Sequence, residues 1–420
     1  MLLAINTTIV TTGIVVFLIV ILILVGILLF AKAKLTAKGD VKISINNGDR
    51  VITIEPGSSL LSTLAGQKIF LPSACGGKGS CGMCKCQVDS GAGSILPTET
   101  GFFSYKQQHE NWRLACQVKV KENIEMRIPE SVMGIKKWEC TVVSNRNIST
   151  FLKEFVVKLP EGENLKFKSG GYIQIDVPAL DVDFKDMIID EKYKGDWEKM
   201  KMFDLKMHNP EPTYRAYSMA NSPAEGNIIM LNIRIATPPF DKATGGFMKV
   251  NPGICSSYVF SRKPGDKITI SGPYGEFFLP DTQELIFIGG GAGMAPMRSH
   301  LMHLFKTEKT KRPVSFWYGA RALKEVPYLD EFHAIEKDFP NFSFNLALDR
   351  PDPEADAAGV KYTPGFVHNV LYENYLKNHQ APEDCIYLMC GPPMMIASVV
   401  KMLDSLGVPP ENILYDNFGS

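Results

Sequence analysis

Four cysteines are the residues whose types and spacing most directly suggest chemistry in this chain. Cys75, Cys81 and Cys84 stand in one short glycine-rich segment, and Cys116 follows after a long gap. Thiolates in this layout are typical ligands of an iron–sulfur cluster. Glycines allow the backbone to curl tightly around such a group, because they carry no Cβ atom. We therefore expect these four cysteines to hold a cluster, of the [2Fe–2S] type.

Clustered cysteines in other proteins also form disulfides or bind zinc. The chain has nine cysteines in 420 residues, an odd and low number for a disulfide framework and one consistent with a reducing compartment. Zinc sites usually combine one Cys-x2-Cys pair with a second pair or with paired histidines, and residues 75–116 contain neither. Five residues separate Cys75 from Cys81, one more than in the plant-type iron–sulfur spacing. Cys86 is an alternative ligand, although alternation toward Val88 favours a strand position for it.

A long apolar segment lies near the start of the chain. No charged residue occurs from Ile9 to Ala31, and a helix of this length measures about 34 Å, enough to cross a hydrocarbon core about 30 Å thick. A secretory signal is the alternative, but no lysine or arginine precedes the segment. Lys32, Lys34 and Lys38 follow it, so the positive-inside rule places the remaining chain in the cytoplasm and residues 1–8 on the other side. The segment has no ionisable group, so we expect any ion transport to occur in partner subunits.

The overall charge gives no sign of a nucleic-acid partner. Lysine plus arginine and aspartate plus glutamate each number 45, so the formal net charge is zero. No net field attracts the chain to nucleic acid, and we expect none among its partners. A length of 420 residues predicts two to four domains.

Residues 38–130 show the pattern of a small domain around the four cysteines. Alternating apolar and polar residues predict a β-hairpin at the start of this segment, and a short helix with a serine cap follows it. Closing strands are expected near Arg113–Val120 and Ile124–Ile128. This order resembles the β-grasp ferredoxin fold, which implies a [2Fe–2S] ferredoxin domain.

Residues 131–280 change to many short strand-like runs separated by Gly and Pro, which is typical of an antiparallel β-barrel. Arg215, Tyr217 and Ser218 form an Arg-x-Tyr-Ser motif in this segment. An arginine suits a pyrophosphate, an aromatic face suits a flavin ring, and a hydroxyl suits a ring nitrogen. A later run, Gly253–Ser257, would present backbone N–H groups and serine hydroxyls to the same phosphates if it opens a helix.

In residues 281–420, apolar strands alternate with helical stretches, which predicts an α/β domain with a doubly wound sheet. A buried strand leads into a glycine turn over Gly289–Gly293, and Pro296 follows at the start of a helix. The N–H groups at such a helix start form an anion site, although the turn departs from the Rossmann Gly-x-Gly-x-x-Gly pattern. The last apolar strand runs into Cys390 and Gly391, at the edge where such sheets bind ligands.

These motifs, in this order, resemble the plant-type ferredoxin–NADP reductase superfamily over roughly residues 138–420. The resemblance implies FAD as a cofactor, bound by the Arg-x-Tyr-Ser motif and the Gly-x-x-Ser turn, and a nicotinamide nucleotide bound by the glycine turn. An aromatic residue near the end of the chain stacks on the flavin in this family, which indicates Phe418. The residues expected to bind FAD or the nucleotide are Arg215, Tyr217, Ser218, Gly253, Ser256, Ser257, Gly289, Gly290, Gly291, Gly293, Pro296, Cys390, Gly391 and Phe418. Among them, Cys390, Phe418 and Ser218 are expected to be catalytic.

The whole chain, with its membrane helix over residues 9–31, resembles the F subunits of bacterial sodium-translocating NADH:quinone reductases. The resemblance implies hydride transfer from NADH to FAD, then single-electron transfer through the [2Fe–2S] cluster to membrane subunits A to E, which reduce quinone and translocate sodium. It places the chain in the bacterial inner membrane as a single-pass protein with cytoplasmic catalytic domains. The implied domains are ferredoxin at 38–130, the FAD barrel at 131–280 and the NADH domain at 281–420.

Residues 181–211 insert a charge-rich segment before Arg215, where a reductase barrel would need only a short loop. The simpler interpretation is a solvated surface insertion. The functional interpretation is a docking surface for membrane partners.

Two other functions fit the same modules. Reductase components of bacterial oxygenases use them in this order, but those are typically soluble, so the helix at 9–31 counts against that function. A membrane-tethered redox sensor or assembly subunit without turnover is expected to lose ligands or phosphate turns, and the sequence retains them. For the nucleotide, Arg321 could meet a 2′-phosphate, whereas Glu325 and the lack of further basic residues nearby favour NADH.

Overall fold

The computed structural model describes residues 7–35, 39–241, 243, 245–281 and 284–416. The chain forms two compact units. The first comprises Met1–Pro72 and Gly77–Met133, and the second comprises Ser73–Gly76 and Gly134–Ser420. Cys75 therefore belongs to a short segment that is grouped with the second unit.

Helix α1 (Thr7–Leu35) contains the predicted membrane segment. Among the described helices, it is the one that is long and apolar enough to cross a membrane, with its most apolar window at Thr11–Leu28. None of that window is buried against other parts of the chain. By length and composition, α1 can therefore lie in a hydrocarbon layer.

The first unit contains a five-stranded mixed sheet. Its elements after α1 are β1 (Val41–Ile45), β2 (Arg50–Ile54), α2 (Leu60–Gly66), β3 (Lys85–Ser90), α3 (Pro97–Thr100), α4 (Tyr105–His109), β4 (Trp112–Leu114), β5 (Ile124–Arg127) and α5 (Glu130–Met133). The strand order is β2-β1-β5-β3-β4. The β1–β2 hairpin is antiparallel, β1 pairs in parallel with β5, and Ser59 caps α2. The predicted β-grasp arrangement is thereby confirmed.

The segment after β4 corrects the strand predicted near Arg113–Val120. The strand ends at Leu114, and the next three residues form a turn. Ala115 N–H donates to Cys84 O at 2.9 Å, and Gln117 N–H donates to Leu114 O at 2.8 Å. The backbone therefore bends here, and a turn places the fourth cysteine beside the cysteine loop.

A buried ion pair supports this turn. Arg113 and Glu99 are both buried, and Arg113 Nη2 lies 2.8 Å from Glu99 Oε2. Leu114 N–H also donates to the carboxylate at 2.9 Å, and Arg113 Nη1 donates to Ala92 O and Gly93 O. A buried ion pair is tolerated when further hydrogen bonds satisfy both groups, as they do here.

The first half of the second unit is an antiparallel sheet that curls toward closure. Its elements are β6 (Lys136–Ser149), β7 (Leu152–Lys158), β8 (Tyr172–Val177), β9 (Leu180–Asp183), α6 (Glu191–Lys199), β10 (Lys206–Asn209), β11 (Thr213–Ser218), β12 (Ile228–Arg234), β13 (Phe240–Asp241), β14 (Gly246–Phe247), α7 (Ile254–Ser261) and β15 (Lys267–Tyr274). Six strands pair in the order β11-β8-β15-β6-β7-β12. A bridge between Met219 and Leu231 then joins the two edges of the sheet at one point. The predicted antiparallel sheet is therefore present, and its two edge strands approach each other at this bridge without closing a continuous barrel.

The inserted segment 181–211 is part of the barrel core. β9 and β10 pair with each other, and α6 lies between them in sequence. Phe184, Trp197 and Met202 are fully buried in the cluster of apolar residues that fills the barrel. Trp197 Nε1 also donates to Thr150 O at 2.7 Å. The interpretation as a merely solvated insertion was therefore wrong, because its apolar side chains fill the core while its charged ones face water.

The second half of this unit is a six-stranded parallel sheet. Its elements are β16 (Leu285–Gly290), α8 (Met294–Met302), a π-helical turn (His303–Glu308), β17 (Val314–Ala320), α9 (Leu329–Asp338), β18 (Phe342–Leu348), α10 (Pro353–Ala357), β19 (Thr363–Pro364), α11 (Val367–Asn374), β20 (Ile386–Cys390), α12 (Pro393–Ser405) and β21 (Ile413–Asp416). The order is β19-β18-β17-β16-β20-β21. The order of strand addition reverses between β16 and β20, so their carboxyl ends flank the crevice where doubly wound sheets bind ligands.

The burial of Trp197 makes a testable prediction. Trp197→Ala should lower the free energy of unfolding of the second unit by about 3–5 kcal/mol, because it removes a fully buried aromatic ring and leaves a cavity. Thermal or denaturant unfolding of the purified chain measures this loss. Glu198→Ala, at the next and exposed position of α6, is the matched control. Equal stability of the two variants would contradict a core role for the insertion.

Candidate functional site

Three of the four predicted cluster ligands lie together in the first unit. Cys81 and Cys84 stand in the loop before β3, and Cys116 stands in the turn after β4. A hydrogen bond with Cys116, then burial and the nearby Cys81, raise the pKa of the Cys84 thiol well above its usual range. A metal bound to neighbouring thiols removes their protons. The donors are all sulfur, which suits an iron–sulfur cluster better than a hard cation.

Cys75 and Cys86 have different surroundings. Cys75 is half-buried in a turn. Cys86 lies on β3, opposite Arg113 of β4, and is fully buried. Its thiol faces Arg113 O at 3.8 Å, and burial raises its pKa to about 12. Cys86 therefore fits the role of a core residue of the sheet.

The Arg-x-Tyr-Ser motif lies on β11 of the barrel. Arg215 Nη1 donates to Tyr214 O at 2.6 Å and to Thr213 Oγ1 at 3.1 Å, so the guanidinium is held along its own strand. Burial raises the pKa of Tyr217 well above its usual range, and its hydroxyl is hydrogen-bonded to Cys255. Because side chains alternate along a strand, Arg215 and Tyr217 share one face of β11.

The Gly253–Ser257 run opens α7, which meets the condition set for it as a phosphate-binding turn. Ser256 Oγ accepts a hydrogen bond from Ala236 N–H and donates to Gly253 O, both at 3.1 Å. Its hydroxyl is therefore used by the fold itself. Ser257 is fully buried, and its hydroxyl has no hydrogen-bond partner in the described part of the chain. Of the two serines, Ser257 retains the hydrogen-bonding capacity that a phosphate would satisfy.

The predicted glycine turn stands between β16 and α8. A Cβ atom at Gly293 would lie 1.9 Å from Cys390 O, so only glycine fits there. Gly291 has a φ of +56°, a left-handed conformation that also favours glycine. No side chain caps α8, the Met294 N–H donates to Gly291 O and Ala292 O of the preceding turn, and Pro296 has no N–H group. The start of α8 therefore suits an anion through its helix dipole. Pro296 lies in the first turn of α8, where a proline is tolerated because its position needs no N–H donor.

Cys390 lies at the centre of the carboxyl edge of the parallel sheet. It ends β20 and pairs with Gly289 of β16 on one side and Asp416 of β21 on the other. Its side chain is fully buried. Burial and then the charge of Asp416 raise the pKa of the Cys390 thiol well above its usual range. Gly391 follows, and a Cβ atom there would lie 3.1 Å from Gly290 O. The thiol is therefore a neutral group at the switch point of the sheet.

One hydrogen bond joins the barrel motif to this edge. Ser218 Oγ donates to Asp416 Oδ2 at 2.6 Å. Burial raises the pKa of Asp416, and the Ser218 hydroxyl partly offsets this effect. Ser218 and Cys390, which are buried, and Asp416, which is partly exposed, thus form one largely buried group. It contains two residues that sequence reasoning identified and one that it missed. Sequence reasoning missed Asp416 because no local sequence pattern shows that β21 lies beside β20.

An arginine couples the glycine-turn helix to the barrel. Arg298 of α8 is buried, and its Nη2 lies 2.8 Å from Glu225 Oε1. Its Nε lies 2.9 Å from Glu331 Oε2, and its Nη1 donates to Ala220 O at 2.9 Å. This network fixes the start of the parallel sheet against the end of β11, and so it supports the contact between Ser218 and Asp416.

Glu325, which the sequence placed near the nucleotide, is bonded elsewhere. Thr150 N–H donates to its carboxylate at 3.2 Å, and the Thr150 hydroxyl donates to the other carboxylate oxygen. Glu325 therefore links the parallel sheet to the barrel, and its charge is partly used for that contact.

Glu284, His379 and Cys385 form a second group of metal-ligating residue types. His379 Nε2 lies 3.2 Å from Glu284, and the Tyr375 hydroxyl donates to the same carboxylate. Ala381 N–H donates to His379 Nδ1 at 3.2 Å. Because Nδ1 accepts this bond, the neutral ring carries its proton on Nε2 and donates it to Glu284. The group is therefore a satisfied hydrogen-bond network at the opposite edge of the sheet.

Three family models match the chain. A 2Fe-2S iron-sulfur cluster binding domain matches residues 43–121, an oxidoreductase FAD-binding domain matches 200–279, and an oxidoreductase NAD-binding domain matches 287–401. These matches follow the order of the ferredoxin sheet, the barrel and the parallel sheet.

Curated relatives match over nearly the whole length. The F subunit of the Na(+)-translocating NADH-quinone reductase of Marinomonas sp. (strain MWYL1) is 52% identical over 408 residues, which cover 97% of this chain and 98% of the relative. The protein of the same name from Pseudomonas aeruginosa is 51% identical over 404 residues, which cover 96% and 97%. The chain belongs to this family of F subunits.

Solved structures resemble this chain in fold. A cytochrome P450 reductase from Amycolatopsis is 25% identical, with a TM-score of 0.60, and covers 90% of this chain and 98% of its own. The ferredoxin reductase in carbazole 1,9a-dioxygenase is 23% identical, with a TM-score of 0.57 and the same coverage. The three-module architecture therefore recurs at low sequence identity.

FAD and a [2Fe–2S] cluster are the cofactors of this chain, and NADH is its substrate. The described residues fit all three. The all-sulfur donors suit the cluster, the Ser257 hydroxyl is a buried group that needs a partner, and the glycine turn opens a helix with no side-chain cap, which suits a pyrophosphate. Phe418, the third predicted catalytic residue, lies outside the described residues.

The raised pKa of Asp416 predicts a pH-dependent stability. Its pKa is raised in the folded chain, so the folded state holds this proton more tightly than the unfolded state. The contribution of Asp416 to stability is therefore most favourable below its usual pKa of about 3.9, and it declines as the pH rises through the raised value. For each pH unit between the two pKa values, the contribution of Asp416 to the free energy of unfolding falls by about 1.4 kcal/mol.

Asp416→Asn removes this titration. Its melting temperature relative to the original chain should therefore rise from acidic to neutral pH, as measured by thermal unfolding with FAD bound. Asp404→Asn, at an exposed position on α12, is the control. The account fails if the two variants follow the same pH trend.

Proposed function

We propose that this chain is the electron-input subunit of a bacterial sodium-translocating NADH:quinone reductase. It oxidises NADH and delivers single electrons to the membrane subunits A to E, which reduce ubiquinone and translocate sodium. The observation that carries this proposal is the 52% identity to a named F subunit over 97% of the chain. That coverage takes in all three modules, which together supply a site for each proposed step of electron transfer.

The chemistry at the two sites comes from the cofactors. When bound, FAD would supply the hydride chemistry with NADH and the one-electron chemistry with the [2Fe–2S] cluster. The protein supplies binding and orientation. Arg215 and Ser257 suit the FAD pyrophosphate by charge and hydrogen bonding, and Tyr217 offers an aromatic face. The Gly289–Gly293 turn and the start of α8 suit the NADH pyrophosphate.

The largely buried group Ser218, Cys390 and Asp416 orients the hydride transfer. Ser218 Oγ holds its proton in the bond to Asp416 Oδ2 at 2.6 Å, which fixes the direction of the hydroxyl at the end of β11. Cys390 is a small neutral residue against the glycine turn, and it determines how closely the nicotinamide can approach. A catalytic role for Phe418 stays part of the proposal on the strength of the family resemblance.

The cluster ligands in this proposal are Cys75, Cys81, Cys84 and Cys116. The last three lie together in the first unit, and Cys75 completes the four thiolates that a [2Fe–2S] cluster requires. The proposal leaves Cys86 out of the set because it lies on β3 and its thiol faces Arg113 O.

Helix α1 is proposed as a single-pass anchor in the inner membrane, with the catalytic modules in the cytoplasm. The three lysines after residue 31 support this orientation. Because the apolar window at Thr11–Leu28 is uncharged, the helix offers sodium no pathway. Sodium translocation therefore belongs to the partner subunits.

A reductase component of an oxygenase is the second candidate, because the similar solved structures include reductases named for a cytochrome P450 and a dioxygenase. Their identity is about half that of the curated F subunits. The apolar helix α1 also favours a membrane complex.

Two substitutions separate the two electron-transfer steps. Cys390→Ala should keep FAD bound but slow its reduction by NADH roughly ten- to hundredfold, because small displacements of reacting groups cost this much. Cys116→Ala should abolish the EPR signal of the cluster and leave FAD reduction at its original rate. Stopped-flow absorbance and EPR spectroscopy measure the two effects.

Cys140→Ala, at a buried core cysteine of β6, is the control and should preserve both properties. Unchanged FAD reduction in Cys390→Ala would remove that residue from the hydride site. An original EPR signal in Cys116→Ala would remove Cys116 from the ligand set.

A further inference from the structure

Gln117 directly follows the cluster ligand Cys116 and turns its side chain back over it. Its Nε2 donates to Cys116 Sγ at 3.5 Å, within the longer range of hydrogen bonds to sulfur. Its backbone N–H donates to Leu114 O at 2.8 Å, which fixes the turn. The amide is therefore placed by the same turn that places the thiolate.

Two neighbours hold the Gln117 amide in this orientation. Thr98 Oγ1 donates to Gln117 Oε1 at 3.4 Å, which leaves the NH₂ group to point at the sulfur. On the other side the amide lies against Gly79 of the cysteine loop, where a Cβ atom would stand 2.5 Å from Nε2. Gly79 has a φ of +78°, so the loop has both the conformation and the space that this contact needs. The side chain spans from the turn to the loop.

A hydrogen-bond donor at this position stabilises negative charge on the sulfurs of the cluster. When the [2Fe–2S] cluster takes one electron from reduced FAD, its net negative charge increases by one, and much of that charge lies on the sulfurs. A hydrogen bond to a ligand sulfur stabilises the reduced form more than the oxidised form, and so raises the reduction potential. Backbone N–H groups do this in any cysteine loop, but a side-chain amide can be removed by mutation.

We propose that Gln117 is a positioning residue that sets the reduction potential of the [2Fe–2S] cluster through the Nε2–H···Sγ bond to Cys116, with Thr98 holding the amide in place. This inference rests on the proposed function, because it takes Cys116 as a ligand. Its consequence is that Gln117 makes the cluster a better electron acceptor from FAD. Without the donor, electrons remain longer on FAD.

The test is a redox titration of the cluster, followed by EPR, in the full-length chain purified with its complex. Gln117→Met keeps the size of the side chain and removes the donor. The equilibrium for electron transfer from FAD to the cluster should fall about tenfold, which is a downward shift of about 59 mV for one electron. Thr98→Val should shift the potential in the same direction by less, while the FAD potential and the rate of FAD reduction by NADH stay unchanged in both variants.

Gln87→Met is the matched control. Gln87 lies on β3 of the same unit, and its Nε2 donates to the backbone O of Glu110 at 3.2 Å, so the same substitution there should leave the cluster potential unchanged. An unchanged potential in Gln117→Met with full iron content would overturn the inference. If Gln117→Met binds less iron, Thr98→Val decides: a downward shift supports the inference and an unchanged potential refutes it.

Cys116→Ser separates this inference from the proposed function. An original EPR spectrum in Cys116→Ser would show that Cys116 is not a ligand, and the proposed ligand set would fail. An altered or lost spectrum in Cys116→Ser, together with an unshifted potential in Gln117→Met and Thr98→Val, would refute the role of Gln117 alone.

Discussion

The hydrogen bond between Ser218 and Asp416 is the contact on which the proposed hydride site depends. It joins the last residue of a barrel strand to the last residue of a parallel-sheet strand at 2.6 Å. Hydride transfer requires reacting atoms within about 3–3.5 Å, so two separately folded sheets must meet with little freedom. The buried Arg298 with its two carboxylates and the Thr150–Glu325 contact limit that freedom. Arg298 is a buried charge held by several partners, which is the condition for a stable buried ion pair.

The first unit must also hold charged groups close together, here the thiolates of the cluster loop. Its cluster loop must hold thiolates close together, although like charges repel and burial disfavours ionisation. The fold brings Cys116 to the loop by a turn, tied by the Ala115 N–H bond to Cys84 O. The Glu99–Arg113 pair holds the strand before that turn. Gln117 then adds one donor that faces the sulfur itself. Local structure, packing and the electron affinity of the cluster are thus set by the same few residues.

Local sequence patterns predicted much of this fold. The β1–β2 hairpin occurs at the start of residues 38–130, where alternating residues indicated it, and β16 is the buried strand predicted before the glycine turn. Those patterns need no distant partner. The glycine turn was visible because close backbone approach admits only glycine. The strand predicted near Arg113–Val120 was wrong, because tertiary bonds to the cysteine loop impose a turn that short-range alternation does not reveal.

The remaining site features depend on contacts between distant segments. Asp416 reaches Ser218 only after β21 takes the edge position beside β20, and nothing in its neighbouring residues marks it. The sequence did not indicate that Trp197 is buried, because its neighbours in sequence are charged. Its burial follows from packing in the barrel. The spacing of the cysteines indicated the metal chemistry, whereas the Gln117 amide required the three-dimensional turn. Spacing therefore predicts which groups react, and tertiary contacts decide which groups orient them.

The most direct test of the account is NADH-driven quinone reduction in native membranes, with and without sodium, compared between the original strain and one that lacks this chain. The account predicts that deletion removes a sodium-stimulated activity and that the full-length chain restores it. Activity that is independent of sodium, or that survives the deletion, would contradict a role as the electron entry of a sodium pump and would favour a reductase with a soluble electron acceptor.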